Sequence, residues 1–153
     1  MITRPSVRVR LRRSRSPQDR TARSMPTWHE LREHARTAYT LVKDEEDAFS
    51  LIWQYESGRS QQVTVSRFAY SEQDWVEFRS YVCAADEMSP RAALRKNAEF
   101  SLGALATDED GDYFLIHQAS LATLDPDEFA LPLRALAMTA DHLEKQHSER
   151  DEF

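Results

Sequence analysis

Glycine occurs only three times in the 153 residues, at Gly58, Gly103 and Gly111, and each stands isolated. A loop that cradles phosphate needs several glycines so that the backbone can approach the ligand, and no stretch here supplies them. Cysteine occurs once. Cys83 cannot close an internal disulfide, and its setting, "RSYVCAA", is an apolar strand-like run that predicts a packed thiol rather than a nucleophile. A chain of this kind is expected in a reducing cytoplasm. No apolar run approaches the ~18 residues that a membrane span requires, and no apolar core of a signal peptide follows the N-terminus. Nucleophile elbows and clustered cysteines are missing as well. The 26 carboxylates fall in polar loops and helix starts. A paired acid and base need carboxylates in divergent environments, and no local stretch offers that. The sequence thus predicts no catalytic residue, no cofactor and no metal.

Charge is present but unevenly spread. Residues 1–24 hold eight arginines against Asp19, a net of +7, so a whole-chain charge of −6 leaves −13 for residues 25–153. The segment "MITRPSVRVRLRRSRSPQDRTARS" has few large apolar residues, Ile2, Val7, Val9 and Leu11, and by composition cannot fold alone, so disorder is expected over 1–24. Three readings fit it: an arm for nucleic acid or acidic surfaces, a transit-like peptide, or an upstream extension of the gene model, since Met25 directly precedes a helix start. We favour the last. The remaining body is too acidic to bind nucleic acid generically, which leaves the basic arm as the sole route to such a partner.

The stretch "TWHELREHA", residues 27–35, nearly spells the H-E-x-x-H zinc-protease motif. That motif needs histidines four apart, about 40° around a helix at about 100° per residue. His29 and His34 are five apart, about 140° around, and cannot share one metal. Thr27 followed by Glu30 reads instead as a capping box, T-x-x-E, opening a helix whose apolar stripe is Leu31, Ala35, Ala38 and Val42, with the acidic run "KDEED" marking its end. His142 and His147 are also five apart and fail the same test.

Three strand-like runs follow. "AFSLIWQY" alternates Phe49, Leu51, Trp53 and Tyr55 against Ser50, Ile52, Gln54 and Glu56. After a turn in "ESGRS" comes "QQVTVSRF". A three-residue loop there sets the aromatic row beside Val63 and Val65, whereas a two-residue loop sets it beside Thr64 and Ser66; the first collects the apolar residues on one face and is preferred. "DWVEFRSYVCA" places Val76, Phe78 and Val82 on one side and Trp75, Glu77, Arg79 and Tyr81 on the other. "MSPRAALRKNAEF" then reads as a short helix capped by Ser89 with Pro90 in its first turn. A hairpin turns at Asp110-Gly111; a calcium loop would need its glycine later and a Glu where Ala119 stands. Asp125-Pro126 with Glu128 opens a last helix, apolar at Phe129, Leu133, Leu136, Ala140 and Leu143, reaching about residue 147 before residues 149–153 fray.

The predicted fold class is α+β: helix, three strands, short helix, two strands, long helix, with a mainly antiparallel sheet and the helices on one face. That order, with "LIWQYESGRSQQVTV" and "DYFLIHQASLATLDPDEFALPLRALAMTADHLE", resembles the type III secretion chaperone (CesT-like) proteins and the related YbjN family, and most of all the peptide-binding chaperone relatives of that superfamily. The resemblance spans a domain over residues 25–148. It implies a small cytoplasmic domain, often a homodimer, that binds a segment of another protein; the YbjN side of it implies a regulator acting on a signalling component. The short, basic "SPRAALRKNAEF" helix departs from the dimer-forming region of the secretion chaperones.

With Phe49, Leu51, Trp53, Val63, Val65, Phe78 and Val82 in the core, Ile52, Thr64, Trp75, Arg79 and Tyr81 fall on the opposite, open face of the sheet. Aromatics and arginine among polar neighbours are the residue types enriched at binding hot spots, so these five are the candidate partner-binding residues.

Overall fold

Helix α1, Trp28–Ala38, starts where the capping box puts it. In this computed structural model, which describes residues 26–148, the Thr27 hydroxyl accepts from the Glu30 amide at 3.2 Å while the Glu30 carboxylate accepts from the Thr27 amide at 2.8 Å. Those hydrogen bonds from Thr27 hold the Glu30 carboxyl below its ordinary pKa. The expectations for residues 1–24 and 149–153 lie outside the described residues.

Helix α1 ends sooner than its apolar stripe predicted. Tyr39 leaves helical geometry and a short strand β1, Leu41–Asp44, takes up what read as the last helical turn. Val42 is therefore no stripe residue but an edge-strand side chain, 53% exposed. Strands β2 (Ala48–Gln54), β3 (Ser60–Tyr70) and β4 (Gln73–Cys83) continue an antiparallel meander. Phe49 faces Val65 and Leu51 faces Val63, the register of a three-residue loop. The loop closes as the amide of Tyr55 donates to the carbonyl of Arg59 at 3.0 Å, with Gly58 at φ 84°, where a Cβ would be strained.

The β3–β4 turn carries no glycine. Ser71 and Glu72 both have positive φ, 53° and 61°, between the paired residues Tyr70 and Gln73. That is the requirement of a tight two-residue hairpin turn, at a cost of about 1 kcal/mol per non-glycine residue. Without Asn-Gly the sequence gives no turn signal here, and both strands run further than the alternation alone predicted.

Ser89 caps α2 (Pro90–Asn97), accepting from the Ala92 amide at 3.2 Å. The chain then forms β5 (Ala104–Thr107) and β6 (Tyr113–Ser120), and a 3-10 turn at Leu121–Thr123 leads into α3 (Pro126–Ser148). Asp125 and Glu128 exchange the reciprocal bonds of a second capping box, at 2.8 and 3.1 Å. The six strands lie in the order β1-β2-β3-β4-β6-β5, every neighbouring pair antiparallel.

The core sits between one face of this sheet and the helices. Phe49, Leu51, Val63, Val65, Val76, Phe78 and Val82 meet Leu31 and Ala35 of α1 and Phe129, Leu133, Leu136 and Ala140 of α3, all buried. Phe129 is the hub, its ring 5.5 Å from Phe78 and 6.2 Å from both Phe49 and Tyr39. Cys83 is buried too, and burial pushes its thiol up to about 11. His29 is a surface residue, and His34 packs edge-on against Phe129 at 6.1 Å. Among the described residues no helix is long and apolar enough to cross a membrane.

Candidate partner-binding face

The strand alternation that buries Phe78 and Val82 under the helices sends their neighbours the other way. Thr64, Arg79, Ile116 and Ala104 line up across β3, β4, β6 and β5 on the face away from α1 and α3, and Tyr81, Phe114 and Ala106 form the next row. Ile52 belongs to the same face of β2, since its neighbours Leu51 and Trp53 point inward with Val63 and Gln61. Every residue assigned to the open face from sequence is thus found there. Their exposure differs. Tyr81 is 50% and Ile52 39% exposed, Arg79 is exposed, and Thr64 and Trp75 are half-buried.

Local contacts explain the differences. Thr64 shares a hydroxyl–hydroxyl hydrogen bond of 2.8 Å with the buried Ser50. Trp75 stands opposite Phe68 across the hairpin and meets Tyr70 edge-on at 6.4 Å. Its indole N–H is enclosed and has no hydrogen-bond partner, a local cost of about 1–3 kcal/mol. Arg79 lies with its guanidinium 4.0 Å over the Phe114 ring and pairs with Glu77 at 3.1 Å. Glu77 also accepts from Gln118 at 2.8 Å. Arg79 is therefore an exposed cation set over an aromatic ring.

Phe114 was not identified from sequence. It is only 7% exposed although it is on the open face, because Arg79 covers it. The run "YFLI" in β6 is apolar at every position, with Tyr113, Phe114 and Leu115 all buried, so alternation could not say which residue faced which way. Tyr81 has its phenol raised above the ordinary range, first by desolvation and then by the carboxylates of Asp112 and Glu87. The carboxylates of Glu87 and Asp112, bonded to the amides of Ala84 and Ala85, border the face at the Tyr81 end of β4.

No protein-family model matches the sequence, and no curated protein matches it. Comparison of the fold is more informative. A chain of the ExsC–ExsE complex superposes with a TM-score of 0.53 at 18% identity, covering 80% of this chain and 97% of that one. A chain of the HopA1–SchA chaperone–effector complex gives 0.54 at 12% identity, covering 75% and 90%. The Yersinia pestis type III secretion chaperone SycH, in complex with a stable fragment of YscM2, gives 0.52 at 18%, covering 74% and 95%. The chain has the type III secretion chaperone fold. The α+β class and the helices on one face stand as the sequence predicted, with β1 added at the sheet edge. Identities this low carry architecture only, so the role has to be argued from this chain's own surface.

Proposed function

We propose that this protein is a non-catalytic, cytoplasmic, chaperone- or adaptor-like module that holds a segment of a partner protein on the open face of its sheet. The observation that carries the reading is the uncovered Tyr81 and Ile52 beside Arg79, which lies over Phe114. Both amphipathic helices are spent on the opposite face, so the sheet contributes a broad surface that no element of the described chain covers. Three similar folds were solved as complexes, one of them chaperone with effector, which supports a protein as the partner class. Ile52, Thr64, Trp75, Arg79 and Tyr81 are the contact residues in this reading.

Affinity capture with the full chain, followed by mass spectrometry and by weighing the complex in solution, tests it. A partner recovered at a fixed stoichiometry with the wild-type chain and lost with Ile52→Asp supports the reading. A partner retained equally by Ile52→Asp refutes the face. A signalling enzyme recovered far below stoichiometry would favour the YbjN-like regulatory role instead.

A further inference from the structure

The open face is almost free of charge. Almost a third of all residues, 30%, are charged, yet along the sheet the charged side chains directed to that face are Glu77 and Arg79, which neutralise each other at 3.1 Å, and Lys43 at the β1 edge opposite Ser50, which pairs with Glu45 at 3.1 Å. Interface centres are depleted in charge while keeping aromatics and arginine, and this face has that composition.

The two ends of the strands differ. At the end where β1 meets β2, most acids hold a base within the chain: Asp44 takes Arg32 at 2.8 Å and Arg36 at 2.6 Å, Glu45 takes Lys43 at 3.1 Å, and Asp47 takes Arg67 at 2.6 Å, while Glu46 and Glu72 hold none among the described residues. At the other end, beside Tyr81, Glu87 and Asp112 spend their carboxylates on backbone amides, of Ala84 at 2.7 Å and Ala85 at 3.0 Å. The hairpin tip adds the exposed Asp108, Glu109 and Asp110. Glu87 and Asp112 are the two nearest the face, bonded to the chain three and four residues beyond Tyr81, and both help raise its phenol. The patch of Ile52 and Tyr81 therefore borders an acidic rim on one side and, on the other, a rim where most acids already hold a base.

We infer that the segment this face holds is apolar at its centre and basic at one end, with a lysine or arginine seated beside Glu87 and Asp112 and the apolar side chains over Ile52 and Tyr81. The inference rests on the reading of the open face given above and adds the chemistry and polarity of the occupant. An acidic residue at that end would meet like charge. At the opposite end, where most acids already hold a base, the sign of the segment matters less. Attraction at a solvent-exposed rim is long-ranged at low salt and fades as the Debye length falls, which gives the inference its own signature.

Three fluorescent peptides, sharing one Leu/Phe/Ala centre and ending in two lysines, two glutamines or two glutamates, are titrated into the full chain by anisotropy. The lysine peptide is expected to bind about 10-fold more tightly than the glutamine peptide at low salt, the gap closing to about 2-fold near 0.5 M salt. The glutamate peptide should bind more weakly than either. Asp112→Asn keeps an acceptor for Ala85 and should cut the lysine advantage about threefold. Ile52→Ser with Tyr81→Ser, both at exposed positions, should abolish binding of all three while the thermal melt stays cooperative. If the three peptides bind alike and all are lost in the double variant, the polarity is wrong and the open-face reading stands. If the lysine preference survives in the double variant, the peptide sits elsewhere on the acidic surface and the inference falls. If none binds, or if the chain sediments as a dimer that the double variant dissociates, the occupant is not this segment.

Discussion

Replacing Trp75 and Tyr81 by serine, singly and together, separates a binding face from a core. Tyr81 is 50% exposed, so truncation removes on the order of 50 Å² of buried apolar area, about 1 kcal/mol. Trp75 is half-buried and loses more, about 2 kcal/mol, part of which is offset because its enclosed, unpartnered indole N–H disappears as well. Together the cost is about 2–3 kcal/mol, below the ~5–15 kcal/mol that holds a typical domain. At about 4 °C per kcal/mol for a domain of this size, the double variant should melt cooperatively about 10 °C lower and Tyr81→Ser alone about 4 °C lower. Phe78, 0% exposed and tilted against the Phe129 ring, is the contrasting control. Phe78→Ser leaves a large cavity and buries a hydroxyl, at least 4 kcal/mol, and should abolish a sharp transition. Binding runs the other way: a hot-spot aromatic is worth about 2 kcal/mol or more, so each single change should weaken partner capture about 30-fold. Circular-dichroism melts beside a binding titration with the captured partner read both quantities. A fall of more than about 10 °C for Tyr81→Ser alone would mean that its ring is packed, and unchanged binding in a folded double variant would move the site off this face.

Gly103→Ala should cost about 2 kcal/mol or more, read as a lower melting temperature; at φ 80° its Cβ would meet the Ile116 carbonyl at 3.2 Å and Leu136 at 3.3 Å. Cys83, buried with its thiol pushed up to about 11, should react negligibly with iodoacetamide at pH 8 until denaturant is added, and stoichiometric labelling of the native chain within minutes would contradict its burial. His117 sits against Phe78 at 6.0 Å, and burial lowers its pKa below the ordinary 6.5. The unfolded chain then binds the proton more readily, so this contribution to stability is full above the unfolded value and is lost as pH falls through and below it. Glu144, raised by burial, works in the opposite sense at lower pH. The wild-type chain should therefore lose more stability than His117→Gln between pH 7 and 5.5 in denaturant titrations, and parallel curves would refute the assignment.

What the sequence determined by itself is what neighbouring residues settle among themselves. A capping box is closed by residues three apart, so Thr27 with Glu30 and Asp125 with Glu128 could be read directly. Alternation in β4 divided Phe78 from Arg79 and Tyr81, because a strand's period of two leaves no other arrangement once one face is buried. The early end of α1 was not legible. Leu41 and Val42 continue the helical spacing, but pairing with β2, Leu41 opposite Leu51, outweighs a last helical turn, and that partner lies ten residues away. Nor could the sequence place Phe114 under Arg79. Both faces of β6 are apolar there, and only the register of β4 on β6, joined through α2 and β5, brings Tyr81 beside Phe114 and Arg79 beside Ile116. The binding face is assembled from strands distant in sequence, with its charge balance set by which acids meet arginines across the fold, so its composition became visible only when the sheet was ordered in space.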